Sequence, residues 1–174
     1  MQYFLIEQDM GYARIPRFKD LHQQLHVWEI KQGNYYKIPK RMLFRLEEDK
    51  DTLFVDIIAG PIFMVSELLQ TLLIKFEPTL GFKEFILLDQ GNGITETYYM
   101  PTLEEIDCLS EQSEFDMMHV GLRKIVIEEE KVQDKSIFVI GGVKKRYVIA
   151  RLDVVESMIR REAIGFAITE VEVV

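Results

Sequence analysis

The chain has 174 residues, and 21 Lys and Arg against 29 Asp and Glu leave it a formal net charge of −8. A hydrophobic fraction of 48% argues against a disordered chain, and this length supports a core without covalent staples. The single cysteine, Cys108, excludes an internal disulfide framework and any multi-cysteine zinc site, and the acidic balance is unpromising for a duplex-DNA binder.

The length fits a single domain over residues 1–174, with residues 1–45 the hardest portion to read. The chain opens apolar, but it lacks a positive leading region and is interrupted at Glu7. Residues 3–6 therefore read as a first strand, not a signal peptide. Apolar, β-branched runs at 42–46 and 52–58 flank a charged connection, Glu47-Glu48-Asp49-Lys50-Asp51, and predict a hairpin. After the Gly60-Pro61 break, residues 66–77 predict a helix with Ser66 as N-cap. Leu68, Leu69, Leu72, Leu73 and Phe76 form its apolar stripe, and Pro78 and Gly81 end it.

Residues 82–89 and 94–100 predict a hairpin joined by Gly91-Asn92-Gly93. Leu103, Ile106 and Leu109 fall three apart in the acidic segment 102–116, suggesting a short helix or turn. A strand is expected over 122–132, and a hairpin across Gly141-Gly142 joins 136–140 to 146–150. A second helix over 152–162 presents Leu152, Val155, Met158 and Ile159 on one face, and residues 166–174 close the chain as a strand. The fold class is α+β, a largely antiparallel sheet with two packed helices.

The two helical segments echo each other at an offset of 84: Val65 falls on Ile149, Leu68 on Leu152, Gly81 on Gly165 and Phe82 on Phe166. Two readings stand, pseudo-repeated strand–helix–strand halves or the common grammar of helix, glycine and strand. The shared glycine suits a left-handed residue after the helix.

Charge is unevenly placed. Residues 1–45 carry eight bases and four acids, whereas residues 84–122 carry no Lys or Arg and nine acids. Such a stretch either steers a basic partner or is neutralised by bases from elsewhere in the fold, residues 1–45 among them. The longest charge-free apolar run near the middle, residues 57–66, falls far short of the ~20 residues of a membrane helix. With the lone cysteine, this suggests a cytoplasmic protein.

Catalytic signatures are thin. His22 and His26 lie four apart, as in metal-binding helices, with Asp20 or Glu29 as a third ligand; on them alone rests the reading of a metal-dependent hydrolase. However, Gln23 stands where the metalloprotease motif needs glutamate. Cys108 follows Asp107 in acidic surroundings that raise a thiol pKa, and Ser66 lacks the glycines of a nucleophile elbow. Gly91-x-Gly93 lacks the third glycine of a phosphate loop.

Several motifs carry a family resemblance. They are Gly60-Pro61 followed by Val65-Ser66-Glu67-Leu68 and the Leu-rich helix, Gly81-Phe82-Lys83-Glu84-Phe85, Tyr98-Tyr99, Glu105-Ile106-Asp107-Cys108-Leu109, Ile137-Phe138, the second helix, and Gly165-Phe166. Together, over roughly residues 50–174, they resemble a bacterial immunity-protein family, the eleventh in the usual numbering and formerly a domain of unknown function. Its members are associated with polymorphic toxin systems. The resemblance implies a cytoplasmic, non-catalytic antidote that binds a cognate protein toxin, without cofactor, metal, membrane or direct nucleic-acid contact. Should that toxin be a basic nuclease, the expected partner-binding carboxylates are Asp89, Glu96, Glu104, Glu105, Asp107, Glu111, Glu114 and Asp116. The competing reading is a small regulatory or ligand-binding domain with a pocket between two helix–sheet units.

Overall fold

The computed structural model describes residues 1–174. Strand accounts for 34% of them and helix for 21%, so the fold is α+β with sheet predominant. In chain order, β1 (Tyr3–Gln8) precedes α1 (Leu21–Gln24), two 3-10 turns (Val27–Glu29 and Gln32–Lys37) and β2 (Arg41–Arg45). There follow β3 (Ile57–Ile58), β4 (Met64–Val65), α2 (Glu67–Phe76), β5 (Phe82–Asp89) and β6 (Ile94–Pro101). The second half holds β7 (Glu105–Ile106), β8 (Glu114–Phe115), β9 (Leu122–Lys124), β10 (Val126–Ile127) and α3 (Glu129–Val132). It ends with β11 (Ile137–Ile140), β12 (Val148–Arg151), α4 (Leu152–Arg160) and β13 (Phe166–Val173).

The chain divides into two compact units, interleaved in sequence. Unit I comprises Met1–Glu7, Leu103–Arg161 and Ala167–Val174; unit II comprises Gln8–Thr102 and Glu162–Phe166. Unit II holds a five-stranded sheet in the order β2-β5-β6-β4-β3. The expected β5–β6 hairpin forms, with Phe82 opposite Pro101 and Asp89 opposite Ile94. Alternation puts Phe85 and Leu87 inward, where they meet Phe44, Ile58, Met64, Tyr98 and Met100. Unit I holds the order β10-β13-β1-β12-β11-β7 over a core that includes Tyr3, Cys108, Ile127, Phe138 and Ile149. All four residues of β11 are buried, as its unbroken apolar run requires.

Both units contain one arrangement, which gives the sequence echo a structural meaning. A hairpin (β3–β4, β11–β12) leads into a helix (α2, α4) and then a strand (β5, β13), with another strand (β6, β1) lying between. An outer strand (β2, β10) then runs parallel to β5 or β13. Val65 and Ile149 hold equivalent places, opposite Ile57 and Tyr99 in one sheet and Phe138 and Leu5 in the other. The difference is connectivity: β6 follows β5 through a tight turn, whereas β1 fills the same slot from the start of the chain.

Several sequence expectations are corrected. The segments 42–46 and 52–58 do not pair. Instead β2 runs parallel to β5, and Leu46 N–H continues that ladder to the Leu88 carbonyl. Of the short helix or turn expected over 102–116, no helix forms and a turn falls at 111–112: Leu103 is buried, Glu105–Ile106 pair parallel with β11, and Leu109 bridges to Ile127. A three-residue apolar spacing in a short extended segment served separate contacts rather than one face. The expected strand over 122–132 splits into β9, β10 and α3.

In the helices, α2 buries Leu69, Leu72 and Leu73 but leaves Leu68 exposed, and α4 buries Val154, Val155 and Met158 but leaves Ile159 exposed. The echo therefore lies in strand pairing, not in matched helix faces. Ser66 begins α2 without a side-chain cap; its hydroxyl donates to Asp56 Oδ1 at 2.7 Å. Of the two echoed glycines, only Gly165 adopts a left-handed φ, +97°. The sheets remain largely antiparallel, with parallel pairs at β2–β5, β10–β13 and β7–β11. No helix is long and apolar enough to cross a membrane.

Candidate protein-binding tip

The acidic stretch 84–122 contains the most exposed apolar side chains of unit I. Strands β8 and β9 pair antiparallel as a two-stranded arm, with Glu114 opposite Lys124 and Phe115 opposite Leu122. At its tip Met117 and Met118 are 101% and 81% exposed, with Phe115 and Val120 beside them at 43% and 45%. An apolar cluster so open to water marks an interaction surface more readily than an isolated exposed leucine does. Methionine suits that role, because its flexible thioether adapts to an irregular partner surface.

Local chemistry holds the tip in place. One Asp116 carboxylate oxygen accepts the N–H groups of Met118 (3.1 Å) and Val120 (3.0 Å), and the other accepts that of Gly121 (2.8 Å). The backbone closes around them, Asp116 N–H donating to Gly121 and His119 N–H to Asp116, with His119 at a left-handed φ of 51°. Those donors hold the Asp116 carboxyl below the usual carboxylate range, the Val120 N–H contributing most.

The arm is rooted at both ends. Ser113 Oγ donates to the Val126 carbonyl and accepts the Val126 N–H, and Leu122 N–H donates to the hydroxyl of buried Tyr147 at 2.7 Å. The tip thus presents apolar side chains on a backbone already ordered, which lowers the entropy cost of binding.

The eight carboxylates expected from the sequence fall into different settings. Asp89 and Glu96 belong to unit II, and the other six to unit I. Asp89 is no surface group: it is 1% exposed and accepts both the backbone N–H and the side-chain amide of Asn92, fixing the β5–β6 turn. Glu104 pairs with Lys135 at 2.5 Å, Glu105 with Arg146 at 3.0 Å, and Glu114 lies 4.0 Å from Arg123. Glu84 is likewise held by Arg41. Bases from residues 123–146 and from β2 therefore neutralise part of the acidic run. Glu96, Asp107 and Glu111 are exposed and form no ion pair; Asp116 organises the tip.

Sequence reasoning found the carboxylates and missed the apolar tip. The signal was the Phe-Asp-Met-Met-His-Val run inside an acidic segment, where neither helix nor strand periodicity accounts for two adjacent methionines.

The histidine pair loses its metal-binding geometry. The α1 helix ends at Gln24, Leu25 is extended, and His26 stacks on Trp28 with ring centroids 4.9 Å apart. Asp20, the suggested third ligand, accepts from the backbone and side chain of Arg45. Burial pushes the Cys108 thiol up to about 11, with no exposed surface for a substrate. No protein-family model matches the chain, and no curated protein matches it.

Proposed function

We propose that this chain is a cytoplasmic, non-catalytic immunity protein that binds a cognate protein toxin and blocks it, with residues 115–120 making the central contact. The observation that carries this reading is the preorganised apolar tip, built by Asp116 and rooted through Ser113 and Tyr147. The resemblance of the motifs between Gly60-Pro61 and Gly165-Phe166 to an immunity-protein family supplies the class of partner. Burying Met117 and Met118 in a complementary cleft is worth about 1.5–3 kcal/mol for each side chain, the range that makes a binding hot spot. The unpaired carboxylates Asp107 and Glu111 act earlier, by attracting a basic surface and raising the association rate.

The test is protection in cells. The chain is co-expressed with the product of the adjacent gene, after that product alone is shown to be toxic, and survival is compared for wild type and Met117→Ser/Met118→Ser. Protection by wild type and its loss in the folded double variant is the expected result. Undiminished protection by the variant would remove the tip from the account, and no protection by wild type would remove the immunity reading.

A further inference from the structure

Exposure sorts the methionines of this chain sharply. Met64, Met100 and Met158 are at most 2% exposed, whereas Met117 and Met118 stand at 101% and 81% in the turn between β8 and β9. A thioether sulfur gives up electrons readily, and the sulfur that solvent reaches is the one that an oxidant reaches first. The turn itself owes nothing to either sulfur. It is held by the Asp116 carboxylate, which accepts the N–H groups of Met118, Val120 and Gly121, and by the bond from Asp116 N–H to the Gly121 carbonyl. Oxidation therefore alters what the tip presents and leaves in place what shapes it.

We infer that Met117 and Met118 are a modification site, at which a peroxide switches the tip off; the inference rests on the reading of the tip as a protein-binding surface. The step is an oxygen transfer. A sulfur lone pair attacks one oxygen of hydrogen peroxide, the O–O bond breaks, and hydroxide leaves. That hydroxide takes the proton from the transferred oxygen, which gives a sulfoxide and water. Sulfur loses the two electrons that the peroxide gains. The product keeps the length of the side chain but carries a polar oxygen, an acceptor that an apolar cleft leaves unpaired. Two such groups would stand side by side at the centre of the contact. Sulfoxide reductases return methionine sulfoxide to the thioether, and the open turn leaves both residues within their reach. Met10, 87% exposed in unit II, is a reference within the same chain: it meets the oxidant as the tip does, but lies outside it.

The probe is hydrogen peroxide at neutral pH, with oxidation of each methionine followed by mass spectrometry of peptides. Met117 and Met118 should oxidise at least ~10-fold faster than Met64, Met100 and Met158, while the amide signals of Met118, Val120 and Gly121 keep the pattern of the closed turn. Oxidation should weaken binding of the purified product of the adjacent gene, once shown to be toxic, by ~10-fold or more, and sulfoxide reductases should restore it. Met117→Leu/Met118→Leu keeps the tip apolar without an oxidisable sulfur, so its binding should survive peroxide. Met10→Leu should lose binding on oxidation as wild type does. Tip methionines oxidised no faster than the buried three, a lost amide pattern, unchanged binding after oxidation, or a leucine variant as sensitive as wild type would each overturn the switch. Binding by the untreated protein would in those cases leave the toxin-binding reading standing. Absence of binding by the untreated protein would remove that reading, and the switch with it.

Discussion

Gly165 shows how much one residue can decide. Its φ of +97° is a region L side chains avoid, and an added Cβ would lie 2.5 Å from Cβ of Val55. The echoed Gly81 lacks that φ, and its Cβ would meet only the Thr102 hydroxyl at 2.8 Å, an atom that can rotate away. Gly165→Ala is therefore expected to destabilise the protein by more than about 2 kcal/mol and Gly81→Ala by less than about 1 kcal/mol in urea denaturation. Equal effects would contradict the distinction. At Cys108, a thiol pushed up to about 11 by burial should resist disulfide reagents in the native protein and react only on unfolding; rapid native reaction would show the site to be open.

Asp116 carries a pH signature. Its carboxyl is lowered in the folded state, so its stabilisation is complete above the unfolded value of about 3.9 and is lost as pH falls through the lower folded value. The amide signals of Met118, Val120 and Gly121 should titrate together with a midpoint below about 3.9. A midpoint at or above it would mean that the three hydrogen bonds do not hold the tip.

Among elements, the start of α2 is tied through Asp56 to a segment far away in sequence. The Asp56 carboxylate accepts from Ser66 Oγ and from the backbone N–H of Ile164, joining the helix start to the returning segment of unit II. Asp56→Ala should cost about 2 kcal/mol and Ser66→Ala about 1 kcal/mol, since the first change strands a backbone donor as well. Chemical denaturation of the two variants tests that order, and a costlier Ser66→Ala would reverse it. The β3 edge is closed in a similar way: the Gln8 side-chain amide donates to the Ile57 carbonyl and accepts the Ala59 N–H, as a partner strand would.

Elements with strong local signals were legible in sequence. The β5–β6 hairpin could be read because Gly91-Asn92-Gly93 lies between two apolar runs, and α2 because its leucines recur at helical spacing. The parallel pairing of β2 with β5 and of β7 with β11 could not, because nothing local marks a partner some forty or thirty residues away. The two-residue strands offered too little pattern for any period to show. In the site, Asp116 was legible as an acid in an acidic run, but not as the acceptor of three backbone N–H groups, which depends on the left-handed turn at His119.

For the whole molecule, the internal echo proved to be a shared strand order with a different source for one strand, β6 in unit II and β1 in unit I. The acidic stretch likewise changed meaning. Lys135, Arg146 and Arg41 take up several of its carboxylates, Asp89 is buried, and its most exposed feature is apolar. On the proposed reading, charge governs how fast a partner arrives, and the tip how long it stays. Asp107→Lys/Glu111→Lys should slow association with little change in dissociation rate, whereas Met117→Ser/Met118→Ser should do the reverse. The measurement that tests this most directly is the binding of the purified product of the adjacent gene, once shown to be toxic, to wild type and to Met117→Ser/Met118→Ser, followed in real time. An affinity loss of at least ~10-fold, carried by faster dissociation, is the expected result. Equal affinity and equal dissociation rates in the folded variant would contradict the tip's role.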